Sequence, residues 1–481
     1  MFESVSHLIA RNRPRLSYGV AVADLDGDGA YELVVSGFGM ANLVLAWRSG
    51  ALVDVADPVL ADEERQAIGL AAADLDGDGR EELYVLNTDT FAGPKRFGDR
   101  LFDWVEGEGW RDLFDDRRNV GQQSLMAGRS VAAIDRRGEG RYGFVVANYG
   151  GPLALLELDE DGLLRDAAAA AGFTRPAGGR GLLCGPLVPT SLAAGRMDVF
   201  AANENSPNFL YVSDGRGGFV ESAEAYGVAD PDQHGRGVAL VDLNGDGLPD
   251  LVCGNWEGPS RLWVQSELGL FGDLAPAALA APRRVRTVIA ADFDNDGVEE
   301  LFFNNLGDAN LLLRRTGREW AEADAGAAAE AGGLGTGAAV ADVDGDGRLE
   351  LLVAHGEAGM QMLSLFRARA EGNHWVRVAP LTAAGAPARG ALVRVRARHE
   401  PDGEERTHLR VIDAGSGYLC QMEPVAHVGL GPGSPEVLGV EILWPGGAVA
   451  RLAGPALDQT LTVAHPGLSP GHRVGEAGAA P

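Results

Sequence analysis

Cysteine is scarce in this chain: three residues in 481, Cys184, Cys253 and Cys420, an odd number with no C-x-x-C spacing. Neither a disulfide framework nor a cysteine zinc site is suggested by such a set. Long apolar runs are missing too, since no stretch approaches the roughly 18 residues of a membrane-spanning helix. The opening "MFESVSHLIA" lacks the basic and apolar segments of a signal peptide. As written the chain carries no export address, unless it is a mature form with its leader removed. Positive charge is the third shortage. Forty-one Lys and Arg stand against 69 Asp and Glu, a net charge of −28, which argues against nucleic acid or an anionic membrane as partner. With 46% hydrophobic residues and 68 glycines, the chain reads as ordered, turn-rich and long enough for two or three domains.

The acids are not scattered. "DLDGDG" occurs at 24–29 and again at 74–79, and related loops begin at Asp242, Asp292 and Asp342. Each is followed by a strand-like run such as "YELVVSG", "PDLVCGN" or "LELLVAH". The long gap between the second and third of these loops holds two decayed units, one beginning at Asp135 and one at Thr190 that keeps Gly195 and Asp198. Seven units result, at a period near fifty. Each reads as four short strands, as in "GVAVAD", "YELVVSG", "NLVLAW" and "LVDVAD", which is the signature of a propeller blade. The expected fold is therefore all-β, a seven-bladed propeller over residues 1–370. The last unit runs out after "MQMLSLF", whereas "FESVSHLIA" at 2–10 resembles a fourth strand. The N-terminus is expected to supply the missing outer strand and close the ring, removing an open sheet edge.

Each loop follows D-x-D-G-D-G-x-x-E. Side-chain ligands fall at the first position (Asp24, Asp74, Asp242, Asp292, Asp342), the third (Asp26, Asp76, Asn244, Asp294, Asp344) and the fifth (Asp28, Asp78, Asp246, Asp296, Asp346). Backbone carbonyls of Ala30, Arg80, Leu248, Val298 and Arg348 would add the seventh, and Glu32, Glu82, Asp250, Glu300 and Glu350 would close the set. Ca²⁺ takes six to eight oxygens, and this spacing can wrap them around one ion. A single copy could also be a solvated turn, but a turn does not require acids at four fixed positions in five loops. About five calcium sites are expected. In the third unit Arg137 holds the third position, either as a guanidinium replacing the ion or as decay to an ordinary turn, and neither degenerate loop is expected to bind calcium well.

After Ala370 the period stops. Residues 371–466 read as seven short strands, "NHWVRVAPL" to "QTLTVAH", the density of a small β-sandwich. The tail 467–481 lacks core-forming residues and is expected to be mobile. Here "NHWVRV", "GALVRV", "AGSGYLCQ", "HVGLG" and "VEILWPGG" resemble the ASPIC/UnbV domain, and the repeats resemble the FG-GAP/VCBS type of integrin α-chain propellers. Together they resemble bacterial relatives of cartilage acidic protein. That resemblance implies a secreted or cell-surface calcium-binding protein.

No nucleophile elbow, P-loop or H-E-x-x-H site is present. His374, His427 and Cys420 read as strand residues rather than a Cys-His pair. Binding is better supported. The face opposite the calcium loops is expected to carry Asn148, Tyr149, Asn203, Glu204, Asn255, Trp256 and Asn305. Arg129, Arg236 and Arg286 each precede a first loop position by six residues, so symmetry puts them at equivalent points around the channel mouth. They suggest a site for an anionic or sugar-like ligand, with simple solvation as the plainer alternative. Two functions follow: a calcium-stabilised module for a protein or glycan partner, or a calcium-dependent enzyme of secondary metabolism using the channel mouth. Arginines joined by His234 and Glu204 would favour the enzyme, and a broad Asn/aromatic surface would favour binding.

Overall fold

The computed structural model describes residues 1–370, 372–400 and 403–467; the expected tail, apart from Gly467, lies outside them. Antiparallel pairing builds seven four-stranded sheets, over 17–54, 67–112, 128–166, 177–221, 235–273, 283–323 and 335–368, the last completed by Phe2–Ser4. They are called blades 1 to 7. The first strand of each blade packs against the first strands of its two neighbours, and Ser17–Ala23 of blade 1 packs against Gly335–Ala341 of blade 7. This cycle is the inner ring of a propeller. Its strands are almost wholly buried, as in "GLAAA" at 69–73, because small and β-branched residues fit the narrow end of the blades. The long second strands Gly143–Gly151 and Asp250–Gly258 reach across to pair with the first strands of the following blades.

Phe2, Glu3 and Ser4 pair with Ala368, Arg367 and Phe366. This strand is shorter than 2–10, since Ser6–Leu8 forms a 3-10 turn, but the rest of the segment is also held. Val5 N–H donates to the Leu365 carbonyl at 2.8 Å, and Ala10 N–H donates to the Leu52 carbonyl at 2.9 Å. Phe2 meets Phe293 edge-on at 4.8 Å.

The C-terminal part forms two sheets: Ala426–Pro432, Asn373–Pro380 and Thr460–Val463 in one, and Glu405–Val411, Leu392–Arg398, Glu436–Leu443 and Val449–Ala453 in the other. Between them lie Val376, Val378, Val393, Val428, Ile442 and Trp444.

Removing residues 1–10 would expose the edge of Ser364–Ala368 and the cavity left by Phe2. A melting temperature many degrees lower is expected; a truncated protein that melts like the full chain would show that the ring holds without this strand.

Candidate functional site

The acidic loops join first to second strands and lie on one face. Each first-position Asp folds its own loop by accepting backbone N–H groups: Asp24 from Gly27 and Gly29 at 2.8 and 3.0 Å, and Asp74 from Gly77 and Gly79 at 2.7 and 3.1 Å. The closing acid braces the loop from the other end. Glu32 accepts from Leu25 N–H at 3.0 Å, Asp250 from Leu243 at 2.7 Å, and Glu300 and Glu350 from Phe293 and Val343, each at 3.1 Å. The fifth-position acids Asp28, Asp78, Asp246, Asp296 and Asp346 accept from the N–H of Ala30, Arg80, Leu248, Val298 and Arg348. This wrapping turns further carboxylate oxygens toward one another.

Four loops gather three carboxylates with ligand atoms within 4.8 Å: Asp24, Asp26 and Glu32; Asp74, Asp76 and Asp78; Asp292, Asp294 and Asp296; Asp342, Asp344 and Glu350. In the second loop Asp76 also meets Glu82 and the blade residue Asp103. The loop at Asp242 differs, because Asn244 donates to Asp246 at 2.8 Å and a second oxygen of Asp250 is taken by Gln265 N–H at 2.7 Å. Burial raises the carboxyl groups of Asp24 and Asp342 to about 6 and those of Asp74 and Asp292 to about 7. Glu32, Asp250 and Glu350 rise to about 8, again through burial first. Arginines offset part of the crowding: Arg48 meets Asp26 at 3.2 Å, Arg314 meets Asp294 at 2.6 Å, and Arg367 meets Asp344 at 2.6 Å.

The two degenerate units differ from each other. At Asp135 the turn survives, with N–H donors from Gly138, Glu139 and Gly140. The guanidinium replacement suggested for Arg137 is corrected: Arg137 lies beside Gly217, while Arg136 pairs with Glu157 at 2.5 Å. In the fourth unit a helix, Pro189–Ala194, stands where the loop would be. Asp198 accepts from Ser191 Oγ at 2.7 Å and from Leu187, Val188 and Ser213 N–H groups, so its oxygens are spent on structure.

The C-terminal domain sits on this same face. Arg389, fully buried, donates to Glu81 at 2.6 Å and to the Val22 carbonyl at 2.9 Å. Arg377 donates to Asp342 at 2.8 Å and also to Glu423, and Gly429 N–H donates to Asp292 at 2.8 Å. Between these anchors, residues 413–423 enter the channel as a tight hairpin closed by Ser416 and Cys420. The hairpin bonds to inner strands around the ring: Gly417 exchanges bonds with Val238 in both directions (2.7 and 2.6 Å), Ala133 N–H donates to the Ala414 carbonyl, and Gln421 bonds both backbone groups of Ala72. Channel-facing backbone groups are satisfied in this way. The tip, Tyr418 and Leu419, reaches the opposite mouth.

At that mouth every inner strand carries an irregularity in register, between Ser17 and Val20, Ala67 and Gly69, Gly128 and Ser130, Gly179 and Gly181, Gly235 and Val238, Val285 and Thr287, and Gly335 and Ala338. Bulges re-aim side chains. In blades 3 to 6 the bulge holds Arg129, Arg180, Arg236 and Arg286, which together with Phe91, Trp256, Glu204, Glu357 and Tyr418 line a cavity of about 430 Å³. Arg180 lies over the Tyr149 ring at 4.6 Å and Arg286 over Trp256 at 4.5 Å. Glu204 bridges Arg180 and Arg236, and Glu357 pairs with Arg286. Burial alone would push the Tyr418 phenol up; Arg180, Arg286, Arg236 and Arg129 outweigh it and hold the phenol below the ordinary tyrosine value.

Family models match both parts of this chain. Residues 24–85, 194–253 and 242–303 match the FG-GAP-like repeat, and 382–470 match ASPIC and UnbV. Cartilage acidic protein 1 of Homo sapiens is 45% identical over 494 residues, which cover 95% of this chain and 73% of that protein. The Xenopus tropicalis protein is likewise 45% identical, over 95% of this chain and 74% of its own length. The chain belongs to the cartilage acidic protein family. Among solved structures, Saccharomyces cerevisiae Sqt1 is similar at 12% identity and a TM-score of 0.46, covering 76% of this chain and 97% of that one.

In this member of the family Arg129, Arg236, Arg286 and Trp256 meet at one mouth. Asn203 and Asn255 do not line it, which corrects the expectation for them. Both are fully buried, and their Nδ2 groups donate to the Pro207 and Pro259 carbonyls at 2.7 Å, bracing turns; Asn148 and Asn305 do the same for Pro152 and Ala309. Arg180 escaped the six-residue spacing because its blade replaced the loop with a helix. Tyr418 belongs to the "AGSGYLCQ" motif, whose sequence gives no sign of entering a channel. His234 lies outside the cavity lining and accepts from Asn205 N–H. Cys420 donates to the Tyr418 carbonyl and burial pushes its thiol up to about 11, while His427 pairs with Asn295 at 2.6 Å, so no Cys-His pair forms.

The raised loop carboxyls set a pH dependence. Folded values near 6 to 8 exceed unfolded values near 4, so the metal-free folded state binds more protons between these limits. Its stability then falls as pH rises from about 5 to about 8. Thermal melts in chelator should show a lower midpoint at the higher pH; a midpoint that climbs over this interval would overturn the assignment.

Proposed function

We propose that this chain is a calcium-stabilised propeller acting as an interaction module, with the mouth opposite the acidic loops contacting an acidic protein or glycan partner. The observation that carries the reading is the division between its two faces. One face concentrates carboxylates and is partly covered by the C-terminal domain; the other gathers arginines and aromatic rings around an open cavity.

Calcium fits the residues present. Oδ1 atoms of Asp292, Asp294 and Asp342 are buried without a hydrogen-bond partner among the described residues, and hard oxygen donors of this kind suit a hard divalent ion. Asp24, Asp26, Asp28 and Glu32 would hold it in the first loop with the Ala30 carbonyl, and the equivalent acids in the loops at Asp74, Asp292 and Asp342. Asp242, Asn244, Asp246, Asp250 and the Leu248 carbonyl would make a fifth, less charged site. The ion supplies charge neutralisation. At a dissociation constant of about 10⁻⁴ M, millimolar calcium would add about 1.4 kcal/mol per site, which favours a calcium-rich compartment, as would secretion. Arg129, Arg236 and Arg286 with Trp256 are the proposed partner contacts. The enzyme reading is weaker, because Glu204, although burial opposes it, is held down to about 2 by Arg236 and Arg180 and makes a poor proton acceptor.

Native mass spectrometry should find four or five calcium ions per chain, and chelation should lower the melting temperature markedly. Zero or one ion with no thermal shift would reduce the loops to acidic turns.

A further inference from the structure

We propose that the arginine-lined mouth is a receptor for an oxyanion, a carboxylate, sulfate or phosphate group on a ligand that enters the cavity, and that Tyr418 of the C-terminal domain completes it. The proposal deepens the interaction reading and rests on it.

Three observations converge. First, four guanidiniums face Glu204 and Glu357, while the lining residue Asp89 is already paired with Arg96 at 2.6 Å, so an excess of two positive charges remains. Nothing else in the lining offsets it, and burial followed by repulsion from Arg180 depresses the Arg236 guanidinium to about 10. Second, the Nε–H groups of Arg129, Arg236 and Arg286 have no partner among the described residues, although these residues are only 7%, 4% and 7% exposed. Buried donors are ordinarily satisfied, and three left open in residues lining one cavity, at equivalent register positions of blades 3, 5 and 6 while the Arg180 Nε–H of blade 4 is taken by Glu204, suit a ligand that brings acceptors. Third, the guanidinium planes are fixed before any ligand arrives. Arg129 lies over Phe91 at 5.2 Å and donates to the Thr90 carbonyl at 3.2 Å, and Trp256 carries both Arg236 and Arg286. Planar donors held in this way match carboxylate, sulfate and phosphate oxygens better than a flexible ammonium would.

Tyr418 adds what the arginines lack. Its ring, buried at the floor of the cavity and 5.9 Å from Arg286, closes the channel so that the mouth is a pocket rather than a pore. The phenol can donate one further hydrogen bond to a bound oxygen. A volume of about 430 Å³ lies within the range of small-molecule sites, enough for one acidic sugar or the acidic end of a chain.

Calorimetry with the full calcium-loaded chain tests this, using sulfate, D-glucuronate, a glucuronate-containing oligosaccharide and neutral D-glucose as probes. Binding of sulfate and free glucuronate, weakened by salt and absent for glucose, is expected for a free anion as natural ligand. Binding of the oligosaccharide alone would assign the same chemistry to a chain-borne group. Arg129→Gln with Arg286→Gln should weaken binding tenfold or more, and Tyr418→Phe severalfold, with melting temperature and calcium count unchanged. Where a variant melts early, the wild-type tyrosinate absorbance gives the second measurement: a bound anion beside Tyr418 should raise its ionisation pH. No binding of any anionic probe at about 10 mM, a free energy weaker than about 3 kcal/mol by the affinity relation, would overturn the receptor while leaving the calcium-dependent melt standing. Equal affinity in the double arginine variant, or an unmoved tyrosine titration on saturation, would also overturn it.

Discussion

The fold depends on how closely seven inner strands can approach one axis. Just past most of the bulges the neighbouring strands and the inserted hairpin leave room for little beyond glycine. A Cβ on Gly181 would stand 2.0 Å from the Arg236 carbonyl oxygen, and one on Gly337 2.2 Å from that of Tyr18. The equivalent positions are Gly19, Gly69, Ser130, Gly181, Gly237, Thr287 and Gly337, small in every blade. The same crowding displaces the preceding residue into the mouth, which is how Tyr18, Ile68, Arg129, Arg180, Arg236 and Arg286 come to surround it. Packing at the axis therefore chooses where the chemistry stands.

A ring this tight still leaves its inner edges with unpaired backbone groups, and burying them unsatisfied would be costly. The hairpin 413–423 answers that need with bonds to Val238, Ala133, Ala72 and Val20. Its entry from the acidic face is electrostatically sensible. Arg377, Arg389 and Arg410 meet Asp342, Glu81 and Glu299 there, so the C-terminal domain brings positive charge to the acidic face and emerges at the arginine-lined pocket.

The acidic loops were legible in the sequence because every position in them is constrained at once, by carboxylates that fold the turn and by glycines that permit it; Gly29 and Gly79, for example, have φ of 86° and 95°. The all-β fold followed from the same period. The short closing strand was legible as a fourth-strand pattern out of place, although 2–10 overstated its length. Asparagines misled because an amide that braces a turn and one that greets a ligand look alike in sequence: Asn203 and Asn255 are bracing. Arg180 was hidden by a local substitution of helix for loop. Tyr418 was hidden by distance, since a residue 130 or more positions from the strands it joins leaves no periodic trace.

The acidic face and the basic mouth are not independent. Asp342 gives one oxygen to Arg377 and leaves the other unpartnered, and Arg377 also holds Glu423 at the base of the hairpin. An ion in that loop would share its carboxylate with a guanidinium that seats the hairpin. Asp292 is similarly divided between Gly429 N–H and an open oxygen. Among the described residues the first carboxylates of the loops at Asp24 and Asp74 carry no hydrogen bond from the C-terminal domain, so on the proposed reading the two pairs of sites differ in kind. Ions at Asp24 and Asp74 would chiefly neutralise the loops of blades 1 and 2. The covered pair would balance charge at the joint from which Tyr418 is presented, linking the electrostatics of one face to the geometry of the other.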